Sequence, residues 1–322
     1  MEPAPVISQI KMAPLQHIHG NSEVQPNTSS ISIVIASKGR PEDVSEAIES
    51  LRRQTLKPEQ IIVVVPSIED LPRSESEDGV QYIVGPHGLT LQRNRGIEAI
   101  PSTVRYVGCF DDDFEARADY LEEAVAFMNA NVSVMGISGR LLANGGISRE
   151  QARDLLANCK PGEDPRGVFF SKGNHHILYG CNMIIRRAIL NYERFDENLP
   201  FYSYGEDYDL SVRLERYGLI GRFSGCVGVH LEVPGGRVRE ILRGYSLVAN
   251  NWYFLKKGVM HLRPLMAWVR FWFIVGRSVA VSVKNLAAGD KSLHWRDRLK
   301  GYLLALKDIS VGRCHPGRIT EM

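Results

Sequence analysis

Over about the first two thirds of the chain, short runs of apolar residues alternate with segments in which apolar residues recur at helical spacing. The runs are rich in β-branched residues, which predicts buried strands. The first four predicted strands are "ISIVIAS" (31–37), "QIIVVVPS" (60–67), "VQYIVG" (80–85) and "VRYVGCF" (104–110). Strand–helix alternation with such apolar strands predicts an α/β fold, with a mostly parallel sheet covered by helices on both faces.

Helix signals lie between these strands and continue beyond them. Pro41 opens the first predicted helix, with acidic residues in its first turn. The later predicted elements are a strand at 132–142, a strand running into a helix start at 178–190, a helix at 205–218 and a pair of strands at 218–236. Residues 144–175 lack clear periodicity and are expected to form loops.

Charge divides the chain into an acidic body and a basic C-terminal part. Residues 237–322 carry 16 Lys and Arg against 5 Asp and Glu, whereas residues 1–236 carry 23 against 32. The start of the chain is rich in Pro, Ser, Asn and Gln. We therefore expect a flexible N-terminal arm (1–30), an α/β domain (31–236) and a basic, mainly helical extension (237–322).

Composition bounds the class of protein and its compartment. The chain has 322 residues, of which 44% are hydrophobic, which is enough for a sizeable core. Its five cysteines are scattered without a C-x-x-C pair, which argues against a disulfide framework or a zinc site. The N-terminal segment has no apolar core typical of a signal peptide, so a cytoplasmic protein is the expectation.

Three consecutive carboxylates, Asp111, Asp112 and Asp113, follow the fourth predicted strand. Ligands of parallel α/β sheets bind beyond the carboxyl ends of the strands. Two carboxylates spaced as DxD can share one divalent cation with a diphosphate, because Mg²⁺ and Mn²⁺ prefer oxygen ligands. An isolated acidic triplet is more often a solvated loop, so the prediction of a metal site depends on further motifs.

Three such motifs are present. Ser37 and Arg40 in "SKGRP" follow the first strand, Arg93 and Asn94 lie in the helix "LTLQRNRGIEA", and Glu206 and Asp207 begin a helix in "YGEDYDLSVRL". The first two motifs are placed to meet a nucleotide, its diphosphate and its sugar. The acid pair is suited to general-base work, although carboxylates that only cap a helix are the plainer interpretation.

In order and spacing, "FDDD", "QRNRG", "YGCNMIIRRAIL" and "YGEDYDLSVRL" resemble the family 2 glycosyltransferases, over roughly Ile31 to Glu232. The resemblance implies a GT-A fold, a Rossmann-like sheet flanked by helices, here with a C-terminal helical extension. It also implies an inverting, metal-dependent, hexosyltransferase-like enzyme that moves a sugar from a nucleoside-diphosphate donor to a saccharide acceptor. Many relatives extend glycans on membrane lipids, so the expected context is synthesis of cell-surface or exported polysaccharide with a saccharide or lipid-linked saccharide acceptor.

The resemblance also implies roles for single residues. Asp113 is expected to contact Mn²⁺ or Mg²⁺, and Asp111 to contact the metal and the ribose or sugar. With Asp112, the residues Ser37, Arg40, Arg93 and Asn94 would complete the nucleotide-sugar site. Asp207 would be the general base, and Glu206 would orient it or bind the acceptor. His230 matches a third metal ligand of some relatives, although a lone histidine at a strand end is more often structural.

The chain departs from the family pattern at the end of the second strand. There the family has a carboxylate that reads the nucleotide base, whereas this chain has Pro66 and Ser67. Asp70, further along the loop, is a candidate substitute. The identity of the nucleotide base therefore stays open.

The extension carries an ordered basic stripe in residues 263–298. Basic residues recur there every seven positions, and bulky aromatics lie between them: Arg263, Arg270, Arg277, Lys284, Lys291 and Arg298, with Trp268, Phe271, Trp272 and Phe273. A basic face with aromatics is typical of a helix lying on an anionic membrane. This pattern predicts a protein bound peripherally to the inner face of the cytoplasmic membrane. A helix packed on the catalytic body is the alternative. Arg270 and Arg277 interrupt the apolar run, which argues against a transmembrane helix.

Other functions remain open from the sequence alone. A sugar nucleotidyltransferase shares the strand–helix alternation and the carboxylates, but it would normally have a Gly-rich phosphate loop, and "ASKGRPED" contains a single glycine. A non-catalytic nucleotide-sugar-binding protein would keep the DxD and need no base. Nucleic acid is not an expected partner, because the body is acidic and no recognised binding motif occurs.

Overall fold

The computed structural model of the chain describes residues 29–72, 79–160, 168–171, 178–233, 238–260 and 263–322. The predicted arm 1–30 therefore lies outside the described residues except for its last two. Within the described residues, nine strands form one sheet. They are β1 (Ile31–Ala36), β2 (Gln60–Val65), β3 (Val80–Val84), β4 (Tyr106–Phe110), β5 (Phe114–Ala116), β6 (Val134–Asn144), β7 (Val168–Ser171), β8 (Asn182–Arg186) and β9 (Leu219–His230).

The sheet has the order β3-β2-β1-β4-β8-β6-β9-β5, and β7 pairs with β9 outside this path. β3, β2, β1 and β4 are parallel neighbours. β8 runs antiparallel to both β4 and β6, which keeps β6 in the direction of β4, and β9 is parallel to β6. Only β5, β7 and β8 among the described strands run the other way. The predicted mostly parallel α/β sheet is confirmed.

Helices cover both faces of the sheet and extend beyond it. They are α1 (Pro41–Arg52), α2 (Leu89–Ala99), α3 (Tyr120–Ala130), α4 (Arg149–Asn158), α5 (Glu206–Leu214), α6 (Glu240–Lys257), α7 (Pro264–Ala287) and α8 (Trp295–Ser310). Pro41 occupies the start of α1 as predicted, because its fixed φ suits the first helical position.

The core lies on the two faces of the sheet, as alternation along β1 requires. Ile33 packs in a cluster with Val44 of α1 and Leu121 of α3, whereas Val34 packs in a second cluster with Ile97 of α2. All of these side chains are buried. Each contributes about 1.5–3 kcal/mol relative to an exposed position, so the helices are fixed on the sheet mainly by apolar burial.

The sheet brings three distant segments to one edge. β1 and β4 are parallel neighbours with Ile35 opposite Phe110, so Ser37 and Asp111 follow adjacent strand ends. β5 begins directly after the acidic triplet and pairs with β9, with Phe114 opposite His230. Sheet pairing alone therefore places the end of β9 beside the triplet.

Two predicted segments differ in the structure. Residues 144–175, expected to be loops, contain α4 and β7, and α4 begins with a capping box between Ser148 and Gln151. Only Ala152 and Leu156 of α4 are buried, which leaves too little apolar periodicity to reveal the helix in the sequence. Residues 219–230 form one strand rather than a pair. Its pairing with β6 shifts in register, and this breaks the alternation that a strand normally shows.

The extension is helical as expected. α6 and α8 cross closely, because a Cβ at Gly244 would lie 2.2 Å from the carbonyl oxygen of Arg298 and one at Gly301 would lie 2.2 Å from that of Ile241. α7 ends at Ala287, and Gly289 follows with φ of 70°. The basic stripe of residues 263–298 is therefore divided between α7 and the segment that follows it.

α7 is exposed over most of its length. It is long and apolar enough to cross a bilayer by length and composition, with a mean hydropathy of 1.3 over its most apolar window, of which 22% is buried. The two arginines that the sequence analysis took as evidence against a membrane span lie within this helix.

Candidate active site

Two cavities meet at the edge of the sheet where β1 and β4 end. The first, about 360 Å³ in volume, is called the Asp207 cavity, and the second, about 230 Å³, is called the Ser37 cavity. The Asp207 cavity is lined by Tyr179, Tyr204, Asp207, Phe254 and Arg270, among others, and the Ser37 cavity by Ser37, Lys38, Arg40, His87 and Arg243, among others. Leu89, Asp111, Tyr202 and His230 line both. The acidic triplet thus lies at the boundary between the two cavities.

Among the residues that the structure describes, one group of side chains could hold a metal ion. Asp111, Asp113 and His230 offer ligand atoms that all lie within 4.8 Å of one another. Nε2 of His230 is 3.1 Å from Asp113 Oδ1 and 3.8 Å from Asp111 Oδ2. Its Nδ1 is 2.8 Å from Asn144 Oδ1, a contact that orients the ring. Two carboxylates and one imidazole fit a divalent cation that keeps further positions for water or phosphate oxygens.

The electrostatics of this group favour positive charge. Burial alone would raise the pKa of Asp113, but the hydrogen bond and charge of His230, together with Arg40, hold that pKa below its usual value. Burial would lower the pKa of His230, but Asp113 and Asp111 raise it. A divalent cation between these side chains would meet the same electrostatic preference.

Asp112 faces the Ser37 cavity rather than the metal-ligand group. It accepts hydrogen bonds from Ser37 Oγ and from Arg40 Nη1, the latter at 2.9 Å. Burial raises the pKa of Asp112 to about 6, against the opposing effects of Arg40 and Ser37. Arg40 also donates to the Val233 carbonyl oxygen at 2.9 Å. The structure thus brings Ser37, Arg40 and Asp112 together as the sequence predicted, in a network that joins the ends of β1 and β4.

Arg93 does not extend freely toward a ligand. The side chain is 1% exposed, and Nη2 donates to Asp111 Oδ1 at 2.8 Å while Nη1 donates to Glu206 Oε1 at 2.9 Å. Nη2 also donates to the Gly180 carbonyl oxygen at 2.7 Å. Arg93 lines the Asp207 cavity, and its predicted contact with a diphosphate or sugar stays a prediction. Arg93 is a buried cation that links the metal-ligand group to the acid pair.

Asn94 forms hydrogen bonds within the fold, and its predicted contact with the nucleotide sugar stays a prediction. Its Nδ2 donates to the Phe195 carbonyl oxygen at 2.9 Å and to Glu197 Oε1 at 2.8 Å. Its Oδ1 accepts from the Phe195 backbone N–H at 3.0 Å. The side chain is buried and lines neither cavity.

The acid pair begins α5 and occupies two different environments. Glu206 is buried against Arg93, whereas Asp207 is partly exposed and lines the cavity named after it. Asp207 accepts from the backbone N–H groups of Tyr208 at 2.8 Å and Gly180 at 3.3 Å. Burial raises the pKa of both carboxyls, and in Glu206 the adjacent Asp207 adds to the effect. Asp207 is therefore the carboxylate that a bound molecule can reach.

Glycines allow the acid pair to pack this closely. Gly205 precedes α5 with φ of 83°, and a Cβ there would lie 2.8 Å from the Phe254 ring. A Cβ at Gly180 would lie 2.9 Å from Glu206 Oε1. Sequence reasoning quoted both glycines within motifs but assigned them no role, because close approach becomes visible only when the segments are in contact.

The Ser37 cavity contains cationic and aromatic side chains that sequence reasoning left out: Lys38, His87, Tyr202 and Arg243. Lys38 Nζ lies 3.0 Å from His87 Nε2, and burial and then the Lys38 charge lower the pKa of His87. The Arg243 guanidinium lies 5.3 Å from the centroid of the Tyr202 ring. Lys38 lies within the quoted motif "SKGRP", but the other three come from other segments without a local signal.

Asp70, the candidate for reading the nucleotide base, stabilises the turn after β1. Its Oδ1 accepts from the Gly39 backbone N–H at 2.7 Å, and its Oδ2 accepts from Ser67 Oγ at 3.1 Å. Asp70 does not line the Ser37 cavity. Its proposed contact with a base stays a prediction without geometric support.

Comparison with known proteins agrees with this fold. Residues 32–192 match the family described as glycosyl transferase family 2. The sheet and its flanking helices have the GT-A fold. The chain belongs to glycosyl transferase family 2, which confirms the predicted enzyme class. A nucleotidyltransferase or a non-catalytic binding protein is therefore no longer favoured. No curated protein matches the chain by sequence.

Solved structures share the fold at low sequence identity. S. aureus TarS 1–349 superposes with a TM-score of 0.53 at 14% identity, covering 85% of this chain and 79% of that one. The mannosyltransferase PcManGT from Pyrobaculum calidifontis, in complex with GDP-Man and Mn²⁺, has a TM-score of 0.49 at 14% identity, with 90% of each chain covered.

Replacing Arg93 by Gln tests its link between the two acidic groups. We expect Arg93→Gln to lower the free energy of unfolding by about 3–5 kcal/mol, because Asp111 and Glu206 lose a buried cationic partner. The matched control is Arg95→Gln in the same helix, whose ion pair with Glu98 is exposed and whose loss should cost less than about 1 kcal/mol. Urea unfolding measures both. Equal stability of the two variants would contradict the assigned role.

Proposed function

We propose that this glycosyltransferase moves a sugar from a nucleoside-diphosphate donor to a hydroxyl of a saccharide acceptor, with inversion and with Mn²⁺ or Mg²⁺. One observation carries the proposal. Asp111 and His230 line both cavities, so the candidate metal site lies between a basic cavity and a cavity that contains the acid pair. A donor in the Ser37 cavity and an acceptor in the Asp207 cavity would meet at this boundary.

The chemistry of the Ser37 cavity supports its assignment to the donor. Lys38 and Arg243 supply positive charge that suits a diphosphate. Asp112, held by Ser37 and Arg40, is a carboxylate fixed in place that can accept a hydrogen bond from a ribose hydroxyl. These contacts would hold the nucleotide and orient the glycosidic bond toward the boundary with the second cavity.

The cation would be held by Asp113, Asp111 and His230. When bound, it offsets the negative charge that develops on the departing nucleoside diphosphate. The oxygen ligands suit Mg²⁺ and Mn²⁺ alike, and the imidazole nitrogen favours Mn²⁺.

Asp207 is the proposed general base. Two backbone N–H groups fix its carboxylate, and its exposure to the cavity lets it accept the proton of an acceptor hydroxyl. Glu206 is tied to Arg93 and would position this base rather than react. Inversion requires the hydroxyl to attack from the side opposite the leaving diphosphate, and a base across the metal site from the Ser37 cavity supports such an arrangement.

We further propose that the enzyme acts on a saccharide or lipid-linked saccharide in the synthesis of cell-surface or exported polysaccharide, at the inner face of the cytoplasmic membrane. The exposed face of α7 supports this location. Its first half exposes Leu265, Met266, Trp268, Val269, Trp272 and Phe273. Large apolar side chains next to a basic stripe favour binding to an anionic lipid surface.

Asp207→Asn separates catalysis from donor binding. We expect it to lower kcat by about 10²–10⁴-fold, because the amide cannot accept the acceptor proton, while the Kd for the nucleoside diphosphate stays within about twofold of wild type. Donor hydrolysis or transfer to an added saccharide gives the rate, and calorimetry gives the Kd. Normal turnover in the variant would exclude Asp207 as the base.

Vesicle binding tests the α7 surface. Wild-type protein should sediment with phosphatidylglycerol-containing vesicles more than with phosphatidylcholine vesicles, and less at high salt, because salt screens the basic stripe. Phe273→Glu should abolish most binding, whereas the control Val132→Glu, at a residue also well exposed but before β6, should not. Equal sedimentation of wild type, Phe273→Glu and Val132→Glu would contradict the assignment of α7 as a lipid-binding surface. Retention independent of lipid charge and of salt would indicate a membrane span instead.

A further inference from the structure

The wall of the Asp207 cavity contains a cation that the proposed chemistry does not use. Arg270 lies on α7 and lines the cavity together with Ile274 of the same helix and with Asn251 and Phe254 of α6. Its guanidinium carbon is 5.2 Å from the centroid of the Tyr208 ring, and Tyr208 is adjacent to Asp207 in the chain. The helical extension thus contributes a positive charge to the same cavity as the proposed base.

The two arginines of this cavity differ in how their charges are balanced. Arg93 forms ion pairs with both Asp111 and Glu206. Arg270 forms no ion pair within the part of the chain that the structure describes, and its side chain is only partly exposed. A half-buried guanidinium with only an aromatic partner loses hydration without gaining a counter-charge, and an anionic ligand would supply one.

The position of Arg270 on α7 indicates what such an anion is attached to. Its sequence neighbours Trp268, Val269, Trp272 and Phe273 are exposed by 42%, 62%, 50% and 66%. The same two turns of helix therefore carry a cation that lines the cavity and a large apolar surface outside it. A ligand that extended from the cavity past Arg270 would meet that apolar surface.

We propose that the Asp207 cavity binds an acceptor whose sugar is joined through phosphate to a lipid. The accepting hydroxyl faces Asp207, the phosphate binds the Arg270 guanidinium, whose planar fork matches two phosphate oxygens, and the lipid chain lies along the exposed apolar side chains of α7. This inference rests on the proposed function and names the substrate class of its acceptor site.

The test measures binding without turnover. Dodecyl phosphate, below its critical micelle concentration, serves as the probe in calorimetry, and inorganic phosphate and neutral dodecyl glucoside serve as comparison ligands. Each is measured with wild type, Arg270→Gln and the control Arg313→Gln, which removes an exposed charge outside the basic stripe and both cavities. We expect dodecyl phosphate to bind wild type most tightly, with Kd about tenfold or more weaker for Arg270→Gln and unchanged for Arg313→Gln.

Three results would overturn the proposal. If dodecyl phosphate bound wild type and Arg270→Gln equally tightly, Arg270 would not be part of the site. If dodecyl glucoside bound wild type as tightly as dodecyl phosphate, the site would not recognise a phosphate. If inorganic phosphate bound as tightly as dodecyl phosphate, the lipid chain would contribute nothing to binding. Nucleoside-diphosphate binding by the same three proteins separates this inference from the donor site, because Arg270 does not line the Ser37 cavity and its replacement should leave that Kd unchanged.

Discussion

The site depends on one buried arginine placed between two acidic groups. Arg93 contacts Asp111 through Nη2 and Glu206 through Nη1, and it also donates a hydrogen bond to the Gly180 carbonyl oxygen. Without it, the carboxylates of Asp111, Glu206 and Asp207 would repel one another in a poorly hydrated space. A buried network of this kind gives little net stability relative to apolar packing. Its function is to fix how far the metal-ligand group lies from the acid pair.

Helices α6 and α7 of the C-terminal extension contribute side chains to the cavity that contains the acid pair. Phe254 of α6 packs against Gly205 at the start of α5, and Lys257 of α6 forms ion pairs with Asp196 and with Asp209 of α5. Arg270 of α7 then closes the wall of the cavity that contains the proposed base. Because α7 also exposes large apolar side chains, the proposed lipid-binding surface lies next to the cavity that contains the acid pair.

Local patterns in the sequence predicted most strands of the sheet and several of the polar side chains at its edge. β-branched runs marked the strands, and polar motifs at strand ends marked Ser37, Arg40 and the triplet. The sequence did not show the partners of Arg93 and Asn94, because Glu206 and Phe195 are more than a hundred positions away from them. Arg270 was visible only as part of a basic stripe, since its place in a cavity depends on how α7 packs on the body.

The most direct test of this account is calorimetric binding of UDP, GDP, dTDP and CMP, with and without Mn²⁺, to wild type and to Asp113→Ala. The account predicts that one nucleoside diphosphate binds tightly only when Mn²⁺ and Asp113 are both present, since the carboxylate would hold the cation that the diphosphate shares. Binding that is equally tight without metal, or unchanged in Asp113→Ala, would contradict a shared metal at the boundary of the two cavities. The preferred nucleotide would also identify the base that the chain recognises without the usual carboxylate after β2.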